Sequence, residues 1–354
     1  MNILYITASD PFDPTSGSRQ RSAFLYQALK AMGEVEVVNP LIYGEGTWIR
    51  KLFAIPFRKL TKVARWPVRR HLVKGQYDAV VVRYLFAAAE MQAWQYGPCF
   101  VDIDDIPVDA FDNVDGGRIP RILRPLARLI VVLWQKYCIN HCAGVWIVTS
   151  AAKSVVRHEN LGVLPNLARR PDRDYSERTR QKRQLMTVGL MGYAPNSAGV
   201  DWFIENVWKK VVEKYPDMKY VVAGGELSES YRIKWSKVKG VRVAGFVDDI
   251  DALYAESLAV VAPILTGAGT CIKVVEAGLH GRIVFATPNA LRGHDQLLST
   301  GGVRRFSTAE EFIAQFDDLL RIDLDGVQAI IRRKTESINS FEAFETIVRN
   351  MIQK

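Results

Sequence analysis

The sequence predicts an α/β protein made of two parallel-sheet halves. Three observations predict it. Short apolar runs of strand length alternate with stretches of helical spacing along most of the 354 residues. The alternation stops in a polar, arginine-rich stretch near the middle of the chain and then restarts. The length is also that of two domains, at roughly 100–200 residues each.

Taken in order, ILYIT (3–7) is a short apolar strand. SDPFDPTSGS is a loop rich in Pro, Ser and Gly, and RSAFLYQALKAMG then has helical spacing that ends at Gly33. EVEVVNP is a second strand. YDAVVVRY (77–84) is a third, almost wholly apolar, as a parallel strand covered on both faces should be. FVDI (100–103) and VWIVTS (145–150) continue the series. LPNLARRPDRDYSERTRQKRQ (164–184) is polar and reads as the connection between the halves. MTVGLM (186–191) restarts the pattern, followed by an amphipathic helix in VDWFIENVWKKVVEKYP. YVVAGG (220–225), VRVAGFV (241–247), AVVAPI (259–264) and RIVFAT (282–287) are strands, and SFEAFETIVRNMIQK at the end has helical spacing. No short tandem repeat or low-complexity segment is present.

An apolar fraction of 48% with 24% charged residues excludes a disordered or fibrous chain. Four unevenly placed cysteines do not form a disulfide scaffold and read as reduced thiols. MNILYITASD lacks a basic n-region and a long apolar core, and the longest apolar run, LIVVLW (129–134), is far below a membrane span. The expected location is therefore cytoplasmic.

The net charge of +9 suits nucleic acid, an anionic membrane surface or a phosphorylated substrate. Its distribution narrows the choice. Residues 46–77 contain no acid and nine Lys or Arg, interleaved with Trp48, Phe53, Phe57 and Trp66. This stretch reads either as a solvated helical surface or as an amphipathic face for an anionic bilayer, with Arg58, Lys59, Lys62, Arg65 and Trp66 at its centre. Residues 116–158 likewise contain no acid. No nucleic-acid motif accompanies the charge.

The strongest site signal is TGAGTCIKVVEAGLHG (266–281). Gly267 and Gly269 allow a tight turn and close backbone approach, and the helix that opens near Thr270 offers N–H groups and a positive dipole end to a phosphate. Lys273 and Glu276 are three residues apart, on one helix face, which suits a ligand with phosphate and hydroxyl groups. On spacing alone, a structural strand–helix turn with a solvated Lys–Glu pair explains the pattern equally well.

PILTGAGTCIKVVEAGLHGRIVFATPNALRGHD resembles the nucleotide-sugar site of glycosyltransferase family 4, retaining enzymes of GT-B fold. VGLMGYAPNSAGVDWFIENVWKKVVEKYPDMKYVVAGG and VRVAGFVDDIDALYAESLAVVAP resemble two other pieces of that family's second domain, in the same order. The resemblance covers about 186–295 strongly and the first half weakly. It implies two Rossmann-like domains facing across a cleft: 1–165 for the acceptor, 166–335 for the donor, and 336–354 as a helix crossing back to the first.

By the same resemblance, Glu276 would meet the donor ribose, Lys273 the phosphates, and the Gly269, Thr270 and Cys271 backbone the sugar and diphosphate. The family's first Glu falls at Ala268, where it is absent. Phe246 and Val247 would flank the nucleobase and Asn196 would sit at the cleft. In DPTSGSRQR (13–21), Gly17 would permit donor approach and Arg19 or Arg21 would meet a phosphate, although a capped helix start with solvated arginines fits these residues too.

VDIDDIP places Asp102, Asp104 and Asp105 after a buried strand. The resemblance puts them on the acceptor side, with Asp104 at the catalytic position. Three acids there also fit a metal, a base or a self-capped loop. The expectation is that no metal or cofactor is needed. CINHC (138–142) offers too few ligands for zinc and reads as a buried helix face.

The reading is thus a retaining glycosyltransferase that moves a sugar from a nucleoside-diphosphate sugar to a hydroxyl of a lipid-linked bacterial surface glycan, working peripherally on the inner leaflet. Nucleotide-sugar epimerase is the alternative within the fold, and a basic nucleic-acid-binding protein the alternative outside it.

Overall fold

The computed structural model describes residues 1–14, 16–39, 72–112, 119–172, 182–267 and 269–354. The chain divides into two compact units, Met1–Asn166 together with Phe341–Lys354, and Leu167–Ser340. Each unit carries a six-stranded sheet in which all the pairings are parallel.

In the first unit the strands are β1 (Asn2–Ile6), β2 (Glu34–Val38), β3 (Ala79–Arg83), β4 (Cys99–Ile103), β5 (Gly144–Ile147) and β6 (Leu161–Val163). Their order is β2-β1-β3-β4-β5-β6. The chain runs one way from β1 to β2 and the other way from β3 onward, so a topological switch point lies at the ends of β1 and β3. The helices are α1 (Gly17–Lys30), α2 (Leu85–Met91), α3 (Pro107–Ala110) and α4 (Arg124–Ile139). Helix α1 begins one turn before the predicted RSAFLYQALK pattern, since the Ser16 carbonyl already accepts the Gln20 N–H at 2.8 Å. β3 and β4 are buried along their whole length, as their continuous apolar runs require.

The second unit holds β7 (Lys182–Val188), α5 (Ala194–Phe203), α6 (Lys209–Lys214), β8 (Lys219–Ala223), α7 (Glu229–Ser236), β9 (Val241–Gly245), α8 (Ile250–Glu256), β10 (Ser257–Ala262), α9 (Ile272–Leu279), β11 (Ile283–Ala286), α10 (Asp295–Leu298), β12 (Val303–Arg305), α11 (Ala309–Leu319) and α12 (Leu324–Ile338). Its sheet order, β12-β11-β10-β7-β8-β9, puts the switch point between β7 and β10.

Three local expectations are corrected here. The helix expected from Val200 starts at Ala194, with Pro195 in its first turn, and passes through a π-helical turn at Ile204–Trp208 that carries Ile204, Val207 and Trp208 into the core. The strand expected over 241–247 ends at Gly245, where φ is +70° and the pairing with β8 shifts register. Phe246 therefore leaves the sheet. The connection expected from Leu164 is not loose at its start, because Leu164, Leu167 and Ala168 are all buried.

The core of the second unit is aromatic: Phe203 lies 4.9 Å from Tyr220, and Phe312 lies 4.6 Å from Phe285 and 5.1 Å from Phe306. The last helix, α13 (Phe341–Ile352), belongs to the first unit. Phe341 and Phe344 meet Phe24 of α1 at 6.0 and 6.4 Å, and the Met351 thioether fills the space above Gly144 and Gly162.

At the switch point of the first unit lies a fully buried ionic cluster. Arg21 of α1 binds Asp102 at the end of β4 through Nε (2.8 Å) and Nη2 (2.5 Å). Its Nη1 reaches Pro165 O (3.1 Å) and Asn166 Oδ1 (2.8 Å), and Nη2 also reaches Leu164 O (3.1 Å). Arg83 at the end of β3 donates to Asp102 (3.2 Å), Asp104 (2.8 Å) and the Ser22 hydroxyl (3.1 Å). Burial alone would raise the Asp102 pKa, but the two guanidinium groups outweigh it and hold the carboxyl below its ordinary value.

Removing this carboxylate leaves the buried Arg21 guanidinium without its ionic partner and Arg83 with Asp104 alone. Asp102→Ala is expected to destabilise the first unit by about 3–5 kcal/mol. Urea unfolding followed by hydrogen exchange of unit-one peptides measures this; an unchanged midpoint refutes it. In the wild type, the folded pKa is lowered. The cluster's contribution is therefore complete above the unfolded carboxylate pKa and is lost as pH falls through the folded one.

Candidate functional site

Both sequence pieces that carry site signals end at the switch point of the second unit. β7 leads into Gly189 and the YAPN turn, and β10 leads into the glycine loop and α9. Gly267 and Gly269 have φ of +124° and +74°, so the loop uses the left-handed region that glycine tolerates.

Lys273, in the first turn of α9, is buried, and its Nζ donates to Asn196 Oδ1 at 2.9 Å. Asn196 Nδ2 in turn donates to the Leu190 carbonyl at 2.8 Å. Burial pushes the Lys273 ammonium below the ordinary lysine range, partly offset by Cys271 and Glu276. Glu276, one turn on, accepts a hydrogen bond from Tyr254 Oη at 3.0 Å. Burial pushes its carboxyl up, while the Tyr254 bond and Arg169 pull it back.

Tyr254 is itself fixed from behind. His280 stacks on its ring at 4.1 Å, nearly coplanar at 10°. Burial and the arginines 282, 332 and 169 push the His280 ring down to about 3, so it is neutral at ordinary pH. Its 3.4 Å approach to Asp251 is therefore a polar contact of a neutral ring, not an ion pair. Tyr254, His280 and Asp251 are not picked out in the sequence; Tyr254 meets Glu276 across 22 residues, beyond any helical periodicity.

The remaining predicted residues fall as follows. Thr270 and Cys271 are half-buried, and Ala268 lies outside the described residues. Phe246 is 67% exposed just after β9, while Val247 packs partly into the core. Gly17 is the first residue of α1, and Arg19 is ion-paired with Asp13. Arg21 is corrected: all of its guanidinium nitrogens are engaged inside the buried cluster, so it does not reach a phosphate. Asp102 is corrected for the same reason and is no acceptor-side acid. Asp104 is largely covered, with Oδ2 on Arg83 and Oδ1 accepting from Asn166 Nδ2 at 3.2 Å. Asp105 is exposed.

In CINHC, Cys138 and Cys142 are buried, but His141 is exposed and stacks on Tyr137 and Trp94, so the segment is only in part a buried face. Arg58, Lys59, Lys62, Arg65 and Trp66, the expected membrane face, lie outside the described residues.

Two parallel six-stranded Rossmann-like units, the second with a glycine loop, a helix N-terminus and a buried lysine at its switch point, define the GT-B fold. Residues 182–321 match the family described as Glycosyl transferases group 1. Among curated proteins no match was found.

Solved structures share the fold at low identity. Anabaena Alr3699/HepE, solved with UDP and glucose, superimposes with a TM-score of 0.69 at 13% identity over 100% of both chains. WaaG, a glycosyltransferase involved in lipopolysaccharide biosynthesis, gives 0.67 at 14% identity, covering 98% of this chain and 99% of that one. TarM gives 0.60 at 16% identity over 78% of this chain, which spans only 55% of TarM's length. Fold and family match together support a glycosyl-transfer role.

Gly189 tests the geometry. Its φ is +155°, and a Cβ there would lie 3.0 Å from both Lys273 Nζ and Asn196 Nδ2. Gly189→Ala is expected to keep the fold but displace the lysine, cutting turnover by about tenfold or more, the equivalent of about 1.4 kcal/mol. Steady-state kinetics alongside circular dichroism checks this; full activity in the folded variant refutes it.

Proposed function

We propose that this chain is a retaining glycosyltransferase. It uses a nucleoside-diphosphate sugar held by the second unit and transfers the sugar to a hydroxyl of a lipid-linked surface glycan. One observation carries the donor assignment. Lys273 sits in the first turn of α9, where the helix dipole already presents positive charge. It is also buried, and burial disfavours its ammonium. Cation, dipole end and desolvation oppose one another unless an anion is bound. A diphosphate resolves all three, and the loop amides add hydrogen bonds to it.

Catalysis is then mainly electrostatic: Lys273 and the backbone N–H groups stabilise the departing diphosphate as its charge grows. Glu276, held by Tyr254, accepts from the ribose hydroxyls. No metal ion takes part in this reading, because phosphate charge is met by protein groups.

Lys273→Ala is expected to lower kcat by about 100-fold or more while the protein stays folded, with Glu276→Ala acting mainly on donor KM. Wild-type transfer should survive EDTA. Because burial lowers the Lys273 pKa, raising the pH removes its charge early, so kcat/KM should fall on the alkaline side below the ordinary lysine value of 10.5. Lys273→Arg should move that limb out of range. A profile unchanged by this substitution, or normal turnover in Lys273→Ala, refutes the assignment.

The membrane part of the reading is supported by a surface other than the one expected. On α4 and the turn before it, Ile122, Leu126, Leu129, Leu133 and Tyr137 are exposed, Ile122 by 88%. Their spacing of three or four residues puts them on one helix face. Arg121, Arg128 and Lys136 are exposed nearby, and no acid occurs between residues 119 and 143. An apolar stripe with basic flanks suits an anionic leaflet.

Replacing Leu126, Leu129 and Leu133 by Ser should reduce sedimentation with phosphatidylglycerol vesicles and spare nucleotide binding. Wild-type binding should weaken as salt rises. A wild type that ignores such vesicles at low salt points instead to a soluble acceptor.

A further inference from the structure

The segment after β11 reaches back to the glycine loop in a way that neither the family match nor the donor reading assigns. Arg292 Nη2 donates to the carbonyls of Gly267 (2.8 Å) and Gly269 (2.9 Å) at once. Two residues on, His294 is buried. Carbonyls 267 and 269 are thus both held by one guanidinium nitrogen.

Peptide geometry turns this into a statement about the other side. Among the described residues no peptide bond is cis. In a trans peptide plane the N–H of residue i+1 points opposite to the C=O of residue i. With the Gly269 carbonyl drawn toward Arg292, the N–H group of Thr270 is directed the opposite way. A glycine loop with two positive-φ residues has many alternative conformations.

We propose that Arg292 is the positioning residue of the donor site: it clasps the glycine loop by its carbonyls and so aims the Thr270 amide at the donor diphosphate. This rests on the donor reading above. The guanidinium also polarises the two peptide groups it binds, making the amides on their far side better donors. Lysine at this position has a single ammonium on a flexible stem and lacks the planar fork.

The test uses the full chain and isothermal titration with UDP, GDP, ADP and dTDP. Arg292→Met is expected to weaken binding of the preferred nucleotide by about tenfold, the loss of two ordinary hydrogen bonds. Arg292→Lys should fall in between. Arg292→Ala should regain affinity on addition of guanidinium chloride at sub-denaturing concentration, an effect not given by sodium chloride at equal ionic strength. If wild type binds and all three variants bind as tightly, the clasp is refuted while the donor site stands. If affinity falls only in step with melting temperature, without rescue, Arg292 is merely structural and the proposal fails. If wild type binds none of the four nucleotides, the donor reading falls and takes the clasp with it.

Discussion

A carboxylate without access to water fixes the top of the first sheet. Asp102 is fully buried, and its charge is tolerable only because Arg21 and Arg83 meet it from two different elements. The same two arginines satisfy carbonyls of α1 and of the chain leaving β6. Helix α1, the ends of β3 and β4, and the 164–166 segment are therefore locked as one piece, and none can shift without stranding a charge. Tyr84 shows the constraint locally. It adopts φ of +70°, costly for a large side chain, while its N–H bonds the Asp102 carbonyl and its hydroxyl the Ser18 side chain.

The second unit handles buried charge in the opposite way. Lys273 has a neutral amide for its nearest partner and Glu276 a tyrosine hydroxyl. Both are pushed toward their uncharged forms. In the first unit, ionic groups pair until their charges cancel; in the second, they are left incompletely compensated around a glycine loop. The first arrangement locks its elements together, and the second is the one on which the proposed donor site rests. Perturbed groups gathered at a switch point are what a functional site looks like physically.

What could be read from the sequence follows from the range of the interactions. The central strands of both sheets were legible because parallel strands covered on both faces need continuous apolar runs, while the three-residue edge strands β6 and β12 were not. The glycine loop and the Lys273–Glu276 pair were legible because they depend on neighbours three residues apart. Arg21 and Asp102 were misread: an arginine near a glycine loop and an acid after a strand look functional one at a time, and only their meeting across 81 residues shows that each neutralises the other. Tyr254 and Arg292 left no local signal, since each acts on the site from another element, and His280, at the end of α9, meets the site only by stacking on Tyr254. The turns, helices and final strand of residues 303–338 also escaped, as packing more than pattern defines them.

The same distinction bears on the excess of basic residues. Two arginines of the first unit, Arg21 and Arg83, contribute to the net charge yet present nothing to solvent. What the surface offers is on α4, where the inward face is carried by Val131, Gln135, Cys138 and Ile139. Gln135 bonds Val108 N–H and the Val155 carbonyl, so this polar residue is on the core side for a structural reason. The leucines at 126, 129 and 133 point outward instead, with more than half of each exposed. Apolar surface left in water forgoes about 25 cal/mol for every Å² that could have been covered. The helix has its core contacts without those leucines, so the stability of the first unit does not account for them.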